Sequence, residues 1–161
     1  MKKILSFILT VSALLCMTCM LYGCKNDTKK EYDIDIEALA SDLSKIKYND
    51  ELAKVDANAA GNIIGSYVNG AKKYVFYSSS SGATPEMIVA AEYESESDAE
   101  NGLKQLKKLV DEKKKTFDSY NVEYRPLLDN IVFENAGKYV ILCVSGDTSA
   151  AEGIVAGYKN K

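Results

Sequence analysis

The sequence has no histidine and no tryptophan among its 161 residues, and it has only two prolines. Because a Ser-His or Cys-His mechanism and a histidine-ligated zinc site all need the imidazole, these classes of site are excluded. No short motif pairs a serine with a lysine as an alternative nucleophile and base. We therefore expect a protein that is not an enzyme, with no catalytic residue, no metal and no cofactor.

Positive charge is also in short supply, since 20 Lys and Arg residues stand against 23 Asp and Glu residues and give a net charge of −3. Nucleic-acid binding needs a clustered positive field, so we expect no nucleic-acid partner. Lysines of the stretch 104–115 form the (i, i+4) pairs Glu100–Lys104 and Asp111–Lys115. Such pairs are typical of a solvated helix face rather than of a stripe that binds phosphate or wall polymer.

Cysteine is confined to the N-terminus, apart from Cys143. This lone cysteine has no partner for an intramolecular disulfide. It lies in the apolar run 139–144, with no neighbouring basic residue to lower its pKa. We expect a buried thiol that behaves as a small hydrophobe.

The N-terminus has the pattern of a secretory signal. Met1-Lys2-Lys3 is a short positive region, and residues 4–21 form an apolar run interrupted only by serine and threonine. The positive end favours the cytoplasmic side, so the residues after the run reach the outer surface of the membrane. We predict a signal peptide over residues 1–23.

The stretch Leu21-Tyr22-Gly23-Cys24 resembles the lipobox of bacterial lipoproteins, with a leucine three residues before the cysteine and a small residue directly before it. The resemblance implies cleavage between Gly23 and Cys24 and a diacylglyceryl group, with chains such as palmitate, on the Cys24 thiol. Cys16 and Cys19 lie inside the apolar run and do not fit. Two acyl chains hold a protein firmly to a bilayer.

This pattern predicts a protein anchored by lipid to the extracytoplasmic face of the cell membrane. The alternative is an uncleaved helix over residues 4–22, which approaches the roughly 20 residues that span a bilayer. Either anchor leaves the remaining chain outside the cytoplasm. After residue 23 we predict a flexible polar tether, 24–34, and a single α+β domain, 35–161.

The alternating carboxylates of residues 33–37 do not form an EF-hand loop. Ala38 and Ser44 occupy the positions where that loop needs glycine and glutamate. Asp35 instead is predicted to cap a helix with an apolar stripe at helical spacing. The stripe consists of Ile36, Leu39, Ala40, Leu43 and Ile46.

The rest of the chain predicts two strand-strand-helix units. The expected strands are 73–77, 87–93, 130–134 and 138–145, because these runs are rich in β-branched and aromatic residues. The expected helices are 97–120, which begins with a capping box of Ser97 and Glu100, and 150–158. Residues 52–67 predict only one or two short helical turns. We expect a four-stranded antiparallel sheet with helices on one face, preceded by an N-terminal helix.

The two units contain a similar sequence pattern at a constant offset. Ser97-Asp98-Ala99-Glu100 and Ser149-Ala150-Ala151-Glu152 both follow an apolar strand. The same offset of 52 residues places Ile88 on Val140 and Leu103 on Val155. This spacing leaves open a duplication or a cap motif shared by chance.

Several segments between residues 36 and 158 resemble a family of small lipoproteins from Gram-positive anaerobes that carry the domain of unknown function four-three-five-eight. The segments are 52–56, 86–89, the capped helix, 117–120 and 138–145. The chain departs from that family in the middle of the long helix and at Ile64-Gly65. The resemblance implies family membership and an envelope location, and the family carries no established activity.

We therefore expect a non-catalytic binding or protein-interaction domain whose partner is an unidentified envelope protein or a small ligand. The predicted contact is the uncovered sheet face or the loop with Tyr124 and Arg125, the only arginine. Tyr67, Tyr77 and Tyr93 also lie near strand ends or turns, where rings are often exposed.

Two other functions are less favoured by the sequence. One is a small-ligand or solute-binding accessory protein of a transport system, for which a single small domain lacks two closing lobes. The other is a hydrolase that uses carboxylates of Glu92, Glu94 and Glu96. Their alternation along a strand is typical of one solvated or edge face.

Overall fold

The computed structural model describes residues 31–160 of the chain. Outside the described residues lie the predicted signal peptide, 1–23, which ends at Gly23, and residues 24–30 of the tether, which begin at Cys24. Four α-helices, one 3-10 helix and five strands are described: α1 Ile36–Leu43, β1 Leu52–Lys54, α2 Ala57–Ile64, β2 Lys73–Ser79, β3 Met87–Glu92, α3 Glu96–Phe117, the 3-10 helix Val122–Leu128, β4 Val132–Ala136, β5 Tyr139–Val144 and α4 Thr148–Lys159.

The strands form one antiparallel sheet in the order β1-β2-β3-β5-β4. The α+β class, the antiparallel sheet and the order of the two strand-strand-helix units are confirmed. The prediction of four strands was wrong, because Leu52–Lys54 pairs with β2 as a three-residue edge strand. The apolar residues around it have helical spacing, which hid this strand from the sequence pattern.

Helices cover both faces of the sheet, so the expectation of helices on one face was also wrong. The front core lies between the sheet and α2, α3 and the 3-10 helix, and the rear core lies between the sheet and α1 and α4. The central strands β3 and β5 are apolar at successive positions, and all but Glu92 of their residues are buried. An uninterrupted apolar strand needs cover on both sides.

Helix α1 forms where it was predicted. The Asp35 carboxylate accepts hydrogen bonds from the backbone N–H groups of Glu37 and Ala38, and four of the five predicted stripe residues are buried. Ile34 is only 4% exposed, and Tyr32 packs against the rear core. The packed part of the chain thus begins within the last residues of the predicted tether.

The cap of α3 differs from the predicted capping box. Ser95, not Ser97, is the N-cap residue, and its hydroxyl accepts from the N–H of Asp98 at 3.2 Å and donates to the Asp98 carboxylate at 2.6 Å. Ser97 lies exposed within the first turn. The helix ends at Phe117, three residues before the predicted end.

Replacing Ser95 with alanine is expected to lower the free energy of unfolding by about 1 kcal/mol, because the orphan N–H of Asp98 loses its acceptor. Ser97→Ala is the matched control, since Ser97 makes no cap and alanine favours the helix. Urea unfolding of both variants measures the difference. Equal losses would contradict the cap assignment.

The offset of 52 residues relates the caps of the two units, since Ser95 and Asp147 are the N-caps of α3 and α4. The side chains, however, exchange faces. Ile88 lies in the rear core and Val140 in the front core, while α3 covers the front and α4 the rear. The repeated pattern therefore preserves the spacing between residues, but the related residues pack on opposite faces of the sheet.

Candidate functional site at the loop end of the sheet

The loops gather at two opposite ends of the sheet. Segments 44–51, 80–86, 118–131 and 145–147 form the end that we call the loop end. Residues 31–35 and the turns 93–95 and 137–138 form the tether end, where the Tyr32 ring lies beside Gly137. Strands of six residues at about 3.3 Å each place these ends roughly 20 Å apart.

A buried carboxylate organises the loop end. Glu86, which precedes β3, is only 1% exposed. It accepts hydrogen bonds from the backbone N–H groups of Asn49 and Asp50, at 3.0 and 3.1 Å, from the Asn49 side-chain amide at 3.0 Å and from the Thr84 hydroxyl at 3.0 Å. The Asn49 N–H reaches both carboxylate oxygens, so four hydrogen bonds join the segment before β1 to the β2–β3 connection, and a fifth, from Thr84, lies within that connection.

Asp50 extends this network towards the surface. Its carboxylate accepts from the hydroxyls of Ser79 and Ser81 and from the Ser81 N–H at 3.1 Å. The Ser79 hydroxyl contributes most to lowering the pKa of Asp50 to about 2, followed by the Ser81 hydroxyl. The long β2–β3 connection is therefore held by defined hydrogen bonds at its first residues.

The predicted buried thiol is confirmed. Cys143 is 1% exposed and is a free cysteine. Its sulfur lies 3.5 Å from the hydroxyl of Tyr48, which also donates to the backbone carbonyl of Leu43 at 2.9 Å. Burial raises the pKa of the Cys143 thiol and that of the Tyr48 phenol. Both groups therefore stay protonated, and Cys143 has a packing role.

Tyr124 and Arg125 lie in the 3-10 helix at the loop end. The Arg125 Nε donates to Asp118 at 2.9 Å, and its Nη1 forms an ion pair with Asp129 at 2.8 Å. Lys114 lies 3.1 Å from the same Asp129 carboxylate. The hydrogen bond from Arg125 is the largest cause of the lowered pKa of Asp129.

These contacts bind the guanidinium to its own segment, while the Tyr124 ring packs partly buried against the front core. The two residues that the sequence singled out for partner contact are thus adjacent at the loop end, and both also have structural partners within the chain.

Of the three candidate carboxylates, Glu94 and Glu96 line one surface cleft at the tether end, and Glu92 is not part of its lining. Glu92 pairs with Lys138 at 2.8 Å, Glu94 pairs with Lys72 at 3.0 Å, and Glu96 begins α3. All three lie at the tether end, and β3 is a central strand flanked by β2 and β5 rather than an edge. Of the two alternatives, the edge strand was wrong, since β3 pairs with both neighbours, whereas Glu94 and Glu96 are solvated beyond its end.

Exposure of the aromatic residues also differs from expectation. Tyr93 is fully buried in the front core, and Tyr67 donates to Glu112 at 2.5 Å. Tyr120, the last residue of the predicted helix 97–120, is 53% exposed. Because α3 ends at Phe117 and Asn121 adopts a left-handed φ of 48°, the chain turns away before Tyr120 reaches the core.

The exposed apolar residues of the loop end are Tyr120 and Val122, the latter 57% exposed. Between them, the Asn121 side chain donates to the carbonyl of Ala83 at 2.8 Å. This bond fixes the segment that carries both residues to the β2–β3 connection. The expected uncovered sheet face, in contrast, does not exist among residues 31–160, because helices cover both faces.

Sequence reasoning missed Glu86 and Asp50, which hold the loop end together. Pro85 and the preceding serines and glycine are typical of a connection between strands, and nothing in their spacing distinguishes a buried acid from a surface one. Within residues 31–160 no group of three or more Cys, Asp or Glu side chains has the arrangement to hold a metal ion. In the same range, no helix combines the length and apolar character needed to cross a membrane.

The described residues define a five-stranded antiparallel α+β sandwich with a hydrogen-bonded loop end. The chain belongs to the family of the domain of unknown function DUF4358, whose profile matches residues 44–145, more than half of the chain. That range includes the whole sheet, α2, α3 and the 3-10 helix, and the rear helices α1 and α4 flank it. Comparison with curated proteins and with solved structures gives no match.

Proposed function

We propose that this protein is a lipoprotein anchored through acylated Cys24 on the extracytoplasmic face of the cell membrane, with a non-catalytic domain that binds another envelope protein. The anchor rests on the lipobox pattern Leu21-Tyr22-Gly23-Cys24. The observation that supports the binding role is the position of the chain's N-terminal part, at the end of the sheet opposite the loop end.

This arrangement would give the domain a preferred orientation. Residues 24–30 at about 3.5 Å each allow at most roughly 25 Å between the bilayer and residue 31. The tether end would then face the membrane, and Tyr120 and Val122 would face away from it. Exposed aromatic and aliphatic side chains on a hydrogen-bonded framework are well suited to protein contact.

Replacing Cys24 with serine is expected to abolish incorporation of labelled palmitate and to leave the signal peptide uncleaved, because a hydroxyl cannot form the thioether that precedes cleavage. Cys143→Ser is the control, since that thiol is buried, and it should retain label and location. Mass spectrometry of the mature N-terminus provides the direct measurement. An unmodified Cys24 in the membrane fraction would contradict the anchor.

The binding role is tested in the same cells by crosslinking. The double variant Tyr120→Ser/Val122→Ser should lose a crosslinked envelope protein that the unaltered chain captures. Ile63→Ser is the matched control, because Ile63 is equally exposed at 53% but lies on α2. Retention of every crosslinked species by the double variant would count against the loop end as the binding surface.

A further inference from the structure

Strand β4 has an open outer edge. It is the last strand of the sheet, and no other strand within residues 31–160 pairs with its outer side. The hydrogen bond from the Tyr93 N–H to the Lys138 carbonyl fixes the phase of the β3–β5 ladder. With the register of β4 and β5, alternation then directs the backbone groups of Phe133 and Asn135 outwards.

This edge lacks the protection found at the opposite edge of the sheet. Strand β1 has only three residues and ends in Lys54, whereas β4 has five residues and contains neither lysine nor proline. Short length, lysine and proline are the usual means by which an edge strand avoids pairing with another chain. Strand β4 is therefore open to a further strand.

A surface cleft of about 390 Å³ runs beside this edge on the rear side, between β4 and α4. Val132, Val155 and Ala156 give it apolar walls. Its charged residues are Glu134, Glu152 and Lys159, with Lys159 bonded to Glu134 at 2.6 Å. Two carboxylates and one ammonium group give the lining a negative balance, which favours a cationic side chain.

We propose that β4 binds an extended segment of a partner polypeptide, which adds to the sheet as a sixth strand. Its backbone pairs with the N–H and C=O groups of Phe133 and Asn135, and every second side chain enters the cleft. The residue opposite Glu134 is lysine or arginine, and the residue opposite Val132 is aliphatic. Main-chain pairing supplies affinity and the cleft supplies specificity in this mode of binding.

A second copy of the chain fits this edge less well. The antiparallel register that uses all the outward groups of Phe133 and Asn135 is centred on Glu134. It places Glu134 of one copy directly opposite Glu134 of the other, and like charges at that position are destabilising. The edge therefore discourages self-pairing while remaining open to a strand with a basic residue at its centre.

This inference goes beyond the proposed function by naming a second surface and the chemistry of its partner, and it does not depend on acylation of Cys24. The probe is the capped peptide Thr-Val-Thr-Lys-Thr-Val-Thr, added to the full chain in detergent micelles. Hydrogen exchange is expected to slow at least about tenfold at the amides of Phe133 and Asn135, because each donates to the added strand.

Two comparisons test the backbone pairing, and a third tests the preference for a basic side chain. Methylating the two peptide amides that face β4 should weaken binding at least about tenfold, without any change to the protein. Replacing the central peptide lysine with glutamate should weaken it about fivefold. Asn135→Pro should abolish protection, while Asn135→Ala, which keeps the N–H, should bind within about twofold of the unaltered chain.

The inference is overturned if methylation leaves the affinity unchanged, or if protection appears away from β4. Protection of the β4 amides that rises with protein concentration in the absence of peptide would also overturn it, since this result indicates self-pairing. Loss of binding by the Tyr120→Ser/Val122→Ser chain in cells, with peptide binding intact, would separate the two surfaces.

Discussion

Replacing Glu86 with alanine is expected to lower the free energy of unfolding by roughly 3–5 kcal/mol, a large part of the 5–15 kcal/mol typical of a domain. The Glu86 side chain is buried and accepts five hydrogen bonds from Asn49, Asp50 and Thr84. Its removal leaves the buried Thr84 hydroxyl and the partly buried donors of Asn49 and Asp50 without their acceptor, and a fully buried group in that state costs about 1–3 kcal/mol. Urea unfolding monitored by circular dichroism provides the measurement.

Glu92→Ala is the matched control for this experiment, because Glu92 ends the same strand, β3. It pairs with Lys138 near the surface, and such pairs contribute about 0–1 kcal/mol. The two variants remove the same chemical group from opposite ends of one strand. If Glu86→Ala is no less stable than Glu92→Ala, Glu86 does not organise the loop end.

The second large effect is expected at Gly102, within α3. Alanine in place of a helical glycine normally adds up to about 1 kcal/mol of stability. At Gly102, however, the Tyr93 ring lies against the position that a Cβ atom would occupy. Since Tyr93 is fully buried, relief requires movement of the ring or of α3, and we expect a net loss of about 1–3 kcal/mol.

Gly153→Ala supplies the control of opposite sign. Gly153 lies within α4, and nothing lies within 4 Å of the position that its Cβ would take. This variant should therefore gain stability. Adding Tyr93→Leu to Gly102→Ala should recover part of the loss relative to the sum of the single changes. Equal gains at both glycines would contradict the close contact between α3 and Tyr93.

The local elements of this fold could be predicted from sequence because their signals are local. Asp35 with the stripe that begins at Ile36 defined α1, and the β-branched and aromatic runs identified β2 to β5. The short gap between the predicted strands 130–134 and 138–145 indicated a tight turn, and Gly137 in that gap adopts a positive φ of 58°. In each case the residues that determine the element are within a few positions of one another.

The face of the sheet on which each helix packs could not be predicted from such local signals. Whether a helix packs on the front or the rear depends on the register of strands distant in sequence, such as Ile88 opposite Cys143. The uninterrupted apolar run in β3 was the available sign of two covered faces. The prediction instead rested on the order of the two strand-strand-helix units, and it gave a sheet with one bare face.

The candidate site was least predictable, because its main residue has no local pattern. Glu86 is buried only because Asn49, Asp50 and Thr84 converge on it from two different connections. The prediction that the long helix extends to Tyr120 was wrong for a related reason. The helical spacing in the sequence continues past Phe117, where the helix ends. The burial or exposure of residues next to a chain reversal depends on tertiary structure, so a local sequence pattern does not predict it.

The helices of the two strand-strand-helix units, α3 and α4, lie on opposite faces of the sheet. Two copies of one unit therefore cannot replace the natural pair. A chimera made from two copies of the first unit, related by the two-fold rotation that antiparallel central strands require, would place two long helices on the front. The apolar rear of both central strands would then be exposed to water, and such a chimera should aggregate. The natural chain avoids this outcome because its second helix crosses to the other side, where α1 lies beside it.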